Sequence, residues 1–261
     1  MMCLVCGTRD ADFVVRGVQD WEYEAYRSVD YEHCAFCGVF QQHPLPHAHD
    51  ISKFYPPQYR NHFPLGGGIF ARVKRLQLQL LARRATMYVR PDARILEIGF
   101  GNGELLLSLA RRGFRRLSGI EVSRNTPPLL EQSGIAIRIA NVEEQFPFEG
   151  LFDVIIMNNV IEHFFRPVDV LRRLREHLGP GGRIIIVTPN SGAFEQLLFR
   201  KFWAGFHAPR HIVIFNRQAM ARVHQQLGFS SIDVRSLPDV GQWAISIQNV
   251  FQQWALTRVT L

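Results

Sequence analysis

This 261-residue chain contains a glycine-rich stretch after a short apolar run, and the residue types and spacing there indicate ligand binding. Ile95, Leu96 and Ile98 read as a strand, and Glu104 opens a segment that reads as a helix. The loop between them carries glycine at alternate positions: Gly99, Gly101 and Gly103. Glycine lets the backbone bend sharply and lets a ligand approach main-chain atoms. The unit is therefore predicted to be a strand, a tight loop and a helix that can hold a nucleotide-like ligand.

The spacing narrows the kind of ligand. A dinucleotide fingerprint would need glycine where Glu104 stands, and no Gly-Lys-Ser/Thr follows as a phosphate-binding loop requires, so a pyrophosphate is a poor fit. Glu121 lies 24 residues after Glu97, at the end of a second apolar run. A carboxylate there can accept hydrogen bonds from both hydroxyls of a ribose. For the glycines alone, a plain strand-to-helix turn is the alternative interpretation.

The pattern Glu97-x-Gly99-x-Gly101-x-Gly103 resembles the first motif of class I S-adenosylmethionine (SAM) methyltransferases. The resemblance extends over about residues 90–236 and implies that SAM is the cofactor. It also implies that Glu97 helps to hold the ammonium group of SAM. The cofactor-binding residues implied are Glu97, Gly99, Phe100, Gly101, Asn102, Gly103, Glu121, Val122, Asn141, Val142, Asn158 and Asn159. Asn141 stands where the family usually has an aspartate that contacts adenine, and the alternative is that it is a simple turn residue.

Three histidines are candidate catalytic residues: His163, His207 and His211. His163 follows Glu162 in a pair that the family segment also carries after the fourth strand, near the transferring methyl group. A neutral His207 or His211 can take a proton from an acceptor hydroxyl, and Arg210 between them can bind a phosphate or carboxylate. The alternatives are a structural role for His163, an ion pair between Arg210 and Glu162, and a supporting role for His211 within its loop.

Paired cysteines indicate a metal site near the N-terminus. Each pair has the form Cys-x-x-Cys-Gly, and the four thiols are Cys3, Cys6, Cys34 and Cys37. Two such knuckles make a closed tetrahedral site for Zn²⁺, which stabilises a small domain and does no chemistry. A hairpin carrying Trp21, Tyr23 and Tyr26 is predicted between the knuckles. The alternatives are disulfides, a redox pair, or ligands contributed by nearby histidines: His33, His43, His47 and His49.

The elements that must position these residues alternate between apolar runs and amphipathic segments. Five strand-helix units in sequence predict an α/β fold with a Rossmann-like, doubly wound and mostly parallel sheet. A sixth unit, with a helix capped by Asn216, and a further strand over 229–237 are expected to follow. Helices are predicted over 69–89 and over 123–134, the second of them interrupted at Pro127 and Pro128. The predicted division is a zinc ribbon (1–50), a linker and helix (51–89), a SAM-binding core (90–238) and an amphipathic tail (239–261).

Composition limits the setting and the partners. The net charge is +7, but the arginines are scattered in pairs over predicted helices, which favours solvated helix faces and leaves nucleic-acid binding as the alternative. No apolar run approaches 18 residues, and the N-terminus has no signal-peptide pattern, so we expect a cytoplasmic protein without a membrane span. The apolar positions of the tail predict a homodimer contact or a lid.

The paired cysteines, the methyltransferase motifs and His207-Ala-Pro-Arg210-His211 together resemble a bacterial subgroup of zinc-ribbon-bearing methyltransferases. The resemblance implies transfer of the SAM methyl group to a small metabolite, such as a sugar or sugar conjugate, on oxygen, carbon or nitrogen. One alternative is an RNA methyltransferase whose ribbon grips the nucleic acid. The other is a SAM-binding scaffold or sensor without turnover.

Overall fold

The computed structural model describes residues 2–23, 28–55, 66–124, 126–237 and 239–259, which fall into two compact units. The sheet unit is Gln58–Ile161 with Asp169–Val187, and the ribbon unit is Met1–Pro57, Glu162–Val168 and Thr188–Leu261. The strands are β1 (Ala11–Val18), β2 (Val29–Cys34), β3 (Phe40–His43), β4 (Arg94–Ile98), β5 (Arg116–Glu121), β6 (Ala136–Ile139), β7 (Phe152–Asn158), β8 (Leu178–Val187) and β9 (Val213–Ile214). The α-helices are α1 (Ile69–Ala85), α2 (Glu104–Arg111), α3 (Pro128–Glu131), α4 (Pro167–Glu176), α5 (Phe194–Phe199), α6 (Arg217–Gln226) and α7 (Val240–Val259).

The sheet unit is built on a five-stranded sheet in the order β6-β5-β4-β7-β8. Every neighbouring pair in it is parallel. The chain leaves β4 towards β5 and β6 and then crosses back to β7, so the direction of winding reverses between β4 and β7. Ligands of open α/β sheets bind at the carboxyl ends of the strands beside such a reversal. The predicted doubly wound parallel sheet is confirmed.

The core of the sheet unit forms where two amphipathic helices meet one face of the sheet. Leu78 and Ala82 of α1 are buried in one cluster with Leu105 and Leu109 of α2. Each pair is four residues apart, which puts it on one helix face. Ile95 of β4 belongs to the same cluster and is fully buried. Burial of each leucine contributes about 1.5–3 kcal/mol, and this packing holds β4 and the loop after it in place.

The ribbon unit contains a four-stranded antiparallel sheet in the order β1-β2-β3-β9. The hairpin predicted between the cysteine pairs is present as β1 and β2. Tyr26, predicted to lie in it, falls outside the described residues. The core of this unit joins residues from both ends of the chain, including Tyr31, Phe40, Trp203 and Phe206.

Several predictions about the chain after β5 were wrong. Val213–Ile214, expected to begin a sixth parallel unit, instead pairs antiparallel with β3 of the ribbon unit. Residues 229–237, all described, form no strand; Ile232 and Leu237 are exposed, so the run has no core to bury against. The helix expected over 123–134 is reduced to the four residues of α3, which starts at Pro128. The predicted division into zinc ribbon, linker, core and tail stays a prediction; in the structure, residues 188–238 lie in the ribbon unit.

The predicted amphipathic tail forms α7, which packs within the ribbon unit. The indole of Trp243 donates to Glu195 at 2.7 Å, and the amide of Asn249 donates to the carbonyl of Phe202 at 3.0 Å. The hydroxyl of Ser246 accepts from the backbone N–H of Ala204 at 2.9 Å. Neither α7 nor any other helix in the described part of the chain has the length and hydropathy to cross a membrane.

Candidate active site

The glycine loop sits between the end of β4 and the start of α2. Its glycines all have positive φ, at 69°, 51° and 73° for Gly99, Gly101 and Gly103. A Cβ atom on Gly99 would lie 2.4 Å from a methyl carbon of Val160, which no side chain could tolerate without a shift. The backbone conformation and the close approach of Val160 therefore explain the need for glycine in this loop, which lies at the carboxyl end of β4 as predicted.

Glu97 lies beneath this loop, and one of its two carboxylate oxygens is unsatisfied. The residue is 3% exposed, and its Oε2 atom has no hydrogen-bond partner among the described residues. Burial, reinforced by the negative charge of Glu121, raises the pKa of the Glu97 carboxyl well above its usual value. A buried acceptor without a partner costs free energy until a donor reaches it. A cationic donor such as an ammonium group suits this position.

Glu121 ties the end of β5 to the glycine loop. Its Oε2 accepts the N–H of Gly101 at 2.9 Å. Its Oε1 accepts the N–H groups of Val122 at 2.8 Å and Ser123 at 3.1 Å. The carboxylate is half-buried and held in one orientation beside the loop, so its position is fixed before any ligand arrives.

Asn141 acts as a turn residue after β6. Its side-chain oxygen accepts the N–H of Glu143 at 3.0 Å, and its amide donates to Glu144 at 3.0 Å. These local hydrogen bonds fit the alternative interpretation of Asn141, that of a turn residue. Val142 is buried, and its carbonyl accepts a hydrogen bond from Arg173.

Asn158 and Asn159 end β7 on the other side of the reversal. Asn158 is half-buried and Asn159 is exposed. Asn159 has φ 55° and donates its N–H to the carbonyl of Val187 at 2.8 Å. A left-handed backbone at a non-glycine residue is a conformation that accumulates at ligand sites. The two asparagines thus lie at the carboxyl end of β7, as predicted.

The remaining candidate cofactor-binding residues, Phe100, Asn102 and Val122, differ in the contacts of their side chains. The Phe100 ring is buried and packs where a Cβ on Gly119 would stand, so only its backbone faces the loop. The side-chain oxygen of Asn102 accepts the N–H of Glu104 at 3.2 Å and so helps to begin α2. Val122 is largely exposed. The glycine loop, the partnerless Oε2 of Glu97 on β4 and the fixed carboxylate of Glu121 at the end of β5 thus lie at one edge of the sheet.

The three candidate catalytic histidines meet within the ribbon unit. The ring centroids of His163 and His211 are 4.8 Å apart, and those of His207 and His211 are 5.1 Å apart. Burial lowers the pKa of both His207 and His211 well below the usual value, so both rings are neutral at pH 7. Neutral imidazoles can accept protons.

Glu162 is fully buried beside these rings. Thr188 donates its hydroxyl to Oε2 of Glu162 at 2.9 Å, while Oε1 lies 3.8 Å from Nε2 of His211. Burial raises the pKa of the Glu162 carboxyl to about 7. Thr188 carried no signal in the sequence, because a single threonine at a strand end is common.

Arg210 does not take either of the roles considered for it from the sequence. Its guanidinium is buried and makes a two-point ion pair with Asp20, at 2.8 and 3.3 Å. Its Nε donates to the carbonyl of Phe54 at 2.8 Å. The prediction of a phosphate or carboxylate ligand, and the alternative pairing with Glu162, are replaced by this structural pair. Asp20 is 190 residues away, so sequence proximity gave no indication of it.

The four cysteines converge as predicted. Cys3 and Cys37 have sulfurs 3.6 Å apart, as do Cys6 and Cys34, and all four ligand atoms lie within 4.8 Å of one another. The two knuckles are alike, since Gly7 and Gly38 each donate an N–H to the carbonyl of the first cysteine of their pair. None of the described histidines joins this group of four.

Comparison with known protein families and sequences gives consistent matches. A family model for a methyltransferase domain matches residues 70–234. A ubiquinone biosynthesis O-methyltransferase of Cereibacter sphaeroides is 38% identical over 102 residues, which are 37% of this chain and 41% of that protein. An uncharacterised protein of Methanocaldococcus jannaschii is 32% identical over 145 residues, which are 54% of this chain and 67% of that protein. The chain thus spans well under two thirds of the Cereibacter enzyme.

Solved structures show the same fold at low identity. Magnesium protoporphyrin IX methyltransferase from Synechocystis, solved with bound SAH, superposes with a TM-score of 0.54 at 13% identity, covering 69% of this chain and 86% of that one. Coclaurine N-methyltransferase bound to N-methylheliamine and SAH gives a TM-score of 0.51 at 12% identity, covering 78% and 64%. At such identities these matches bear on the fold alone.

Proposed function

Because the chain belongs to the family of methyltransferase domains, we propose that it is a SAM-dependent methyltransferase acting on a small molecule. The observation that carries this proposal is the partnerless, buried Oε2 of Glu97 beneath the glycine loop. It lies on β4, next to the reversal of the sheet. An ammonium group there would satisfy the oxygen and neutralise the charge that burial opposes.

The residues around the loop would bind the cofactor and orient it. Glu97 takes the ammonium group, the backbone of Gly99 and Gly101 lies along the amino acid end, and Glu121 takes the ribose hydroxyls. A carboxylate can accept about four hydrogen bonds. The carboxylate of Glu121 already accepts three, all from backbone N–H groups. Binding both hydroxyls therefore requires one of these amide bonds to be exchanged. Bound SAM supplies a methyl group activated by its sulfonium.

The acceptor we propose is a hydroxyl group of a small metabolite. Its support is the name of the Cereibacter relative, an O-methyltransferase. A sugar or sugar conjugate is the narrower substrate class that the sequence resemblance implies. A hydroxyl must lose its proton on methylation, and the neutral imidazoles of His163, His207 and His211 are the groups we propose for this role.

We also propose that the four cysteines hold a structural Zn²⁺. The support is their mutual distance and the matching geometry of the two knuckles. Four thiolates leave no coordination position open, so this ion stabilises the ribbon unit and does not react.

Calorimetric titration with SAM and with its demethylated product tests the cofactor assignment. Glu121→Ala should weaken binding by about 10- to 100-fold, because two hydrogen bonds to a charged acceptor are lost. Glu176→Ala, which removes an exposed carboxylate from α4, should bind like the parent. If Glu121→Ala also binds like the parent, the assignment of the pocket is wrong.

The acceptor is tested with methyl-labelled SAM and separated pools of hydroxylated metabolites, sugars and RNA. Label in a small-molecule pool supports the proposal. Label confined to RNA would replace it with RNA methylation. Tight SAM binding with no labelled product in any pool would instead indicate a SAM-binding protein without turnover.

A further inference from the structure

A second group of metal-ligand side chains lies in the ribbon unit, apart from the cysteines. Glu162, His163 and His211 each offer one ligand atom, and these atoms lie within 4.8 Å of one another. We infer that these three residues bind a divalent transition-metal ion, with Zn²⁺ as the representative. This goes beyond the proposed function and does not depend on SAM.

The hydrogen bonds of the two histidines orient their rings. Nδ1 of His211 lies 2.8 Å from the carbonyl oxygen of Gly205. A carbonyl oxygen can only accept, so Nδ1 of His211 carries the proton and its Nε2 keeps the lone pair. Histidine ligands of metals almost always donate their second nitrogen in this way. Nδ1 of His163 lies 2.9 Å from the carbonyl oxygen of Arg210 and 3.1 Å from the hydroxyl of Tyr55, and these two contacts hold the ring in place. The ring of His211 is therefore oriented as a metal ligand before an ion binds, and His163 lies within the same group of ligand atoms.

Glu162 supplies the third ligand in the same prearranged manner. The hydroxyl of Thr188 holds Oε2 at 2.9 Å, and Oε1 has no hydrogen-bond partner among the residues that the structure describes. The residue is fully buried. A buried carboxylate oxygen without a donor is destabilising, and a cation beside it would offset that cost.

The distances suit an ion after small side-chain rotations. Ligands about 2.0–2.1 Å from Zn²⁺ in a tetrahedral site lie roughly 3.3 Å apart. Oε1 of Glu162 and Nε2 of His211 are 3.8 Å apart, and 4.8 Å bounds the whole group. Contraction by about 0.5–1.5 Å therefore completes the site, which torsions of the two imidazoles and the carboxylate can supply.

Two imidazoles and one carboxylate leave coordination positions open, in contrast to the four thiolates. Such sets are typical of catalytic zinc and of non-haem iron, where water or a substrate oxygen completes the coordination. His163 is the half-buried member and gives the site its exposed side. Within the methyltransferase proposal, His163 and His211 then act as ligands, and His207 remains the candidate base.

Titration of the metal-free full chain with Co²⁺ distinguishes the cysteine site from the Glu162–His163–His211 site. The absorption spectrum of bound Co²⁺ depends on whether its ligands are sulfur, nitrogen or oxygen. The chain should carry His47→Ala and His49→Ala, since these exposed and stacked rings could bind cobalt at the surface. We expect two equivalents of Co²⁺, one with thiolate charge-transfer absorption and one with only the weaker bands of nitrogen and oxygen ligands. A single equivalent, or two that both show thiolate absorption, would overturn the inference.

Matched histidine variants then locate the second equivalent. His211→Gln should abolish it, and Glu162→Gln should weaken it by at least about tenfold. His224 is a buried histidine of the same unit whose Nδ1 also contacts a backbone carbonyl, that of Met220 at 2.8 Å, so His224→Gln should retain both equivalents. If His211→Gln fails to fold, the half-buried His163→Gln makes the same test. Retention of the second equivalent in a folded His211→Gln or His163→Gln protein would contradict the site.

Discussion

A buried carboxyl that meets a cation must change its protonation state when the cation binds. Glu97 is such a group, because its pKa is raised by burial and by the charge of Glu121. In the free protein the neutral form is favoured up to that raised pKa. The ammonium group of SAM favours the ionised form, so we expect binding to release a proton.

SAM affinity should therefore increase as the pH rises towards the raised pKa of Glu97. The limiting slope is about tenfold in Kd per pH unit, provided that the pH stays below about 7, where the amine of SAM remains protonated. Calorimetry in two buffers of different ionisation enthalpy would measure the released proton. Glu97→Gln should bind more weakly and release none, and a pH-independent affinity of the parent protein would contradict this account.

Glu97→Gln, which should weaken SAM binding, should stabilise the ligand-free protein at neutral pH. A raised acid pKa means that ionisation destabilises the folded state, a cost that is absent below the unfolded pKa and grows as the pH rises above it. Ligand-free Glu97→Gln should therefore have a Tm equal to the parent's at pH about 4 and higher at pH about 8. A lower Tm at the higher pH would show that the carboxylate is stabilised by a partner.

The buried pair of Arg210 and Asp20 gives a prediction about stability alone. Removing one member leaves the other charge buried, so Asp20→Asn and Arg210→Met should each reduce the free energy of unfolding by about 3–5 kcal/mol. The double variant should lose less than the sum of the two. Denaturant unfolding of the four proteins measures this coupling.

A surface pair of the same residue types is the control. Arg235 and Asp233 are also 2.8 Å apart but largely exposed, so Asp233→Asn should change the free energy of unfolding by less than about 1 kcal/mol. Equal effects at both pairs would mean that burial does not determine the contribution of Arg210.

The loop after β4 depends on glycine for two separable reasons, backbone conformation and space. Gly99 and Gly134 have similar φ values, 69° and 74°, but only a Cβ at Gly99 meets a neighbour, the side chain of Val160. Gly99→Ala should weaken SAM binding at least about tenfold, and Val160→Ala should restore part of it. Gly134→Ala should lower stability by about 1 kcal/mol and leave SAM affinity unchanged, as calorimetry and denaturation would show.

How well the sequence predicts each element depends on how local its cause is. β4, β5 and β7 carry short, mostly apolar runs, as strands buried on both faces do, and all three were predicted. β9 has two residues and no periodicity of its own, so its pairing with β3 could not be anticipated. α3 was overestimated because paired prolines were taken to interrupt a helix that in fact begins at the second of them.

For the site residues, too, prediction from the sequence succeeds for contacts between residues close together in the chain and fails for distant ones. The glycine loop and Glu121 follow from a motif within 25 residues, and the structure places them together. The partners of Arg210 and Glu162, namely Asp20 and Thr188, lie on segments whose proximity is created only by folding. Side-chain orientation at Phe100 was also inaccessible, because its position in the motif did not reveal that the ring points into the core.

The ribbon unit as a whole should respond to loss of its proposed zinc. Strand β3 leaves the second knuckle at Phe40 and pairs with β9, so disorder at the cysteines should spread to Val213–Ile214. A strong chelator, or Cys37→Ser, should accelerate amide hydrogen exchange in β1, β2, β3 and β9. Exchange in β4 and β7 is the internal control and should stay slow. Unchanged protection of β9 after verified metal removal would contradict this coupling.

The assembly of the ribbon unit from three separated segments has a consequence for biosynthesis. Its first strands leave the ribosome early, but Trp203, Phe206 and Ile214, which complete their core, are translated more than 150 residues later. At a translation rate of about 5–20 residues per second, the apolar faces of the nascent hairpin stay uncovered for roughly ten seconds or more before these residues are made. Prematurely terminated chains keep those faces uncovered, which makes them substrates for chaperones and proteases, so only chains translated past β9 can bury their N-terminal strands.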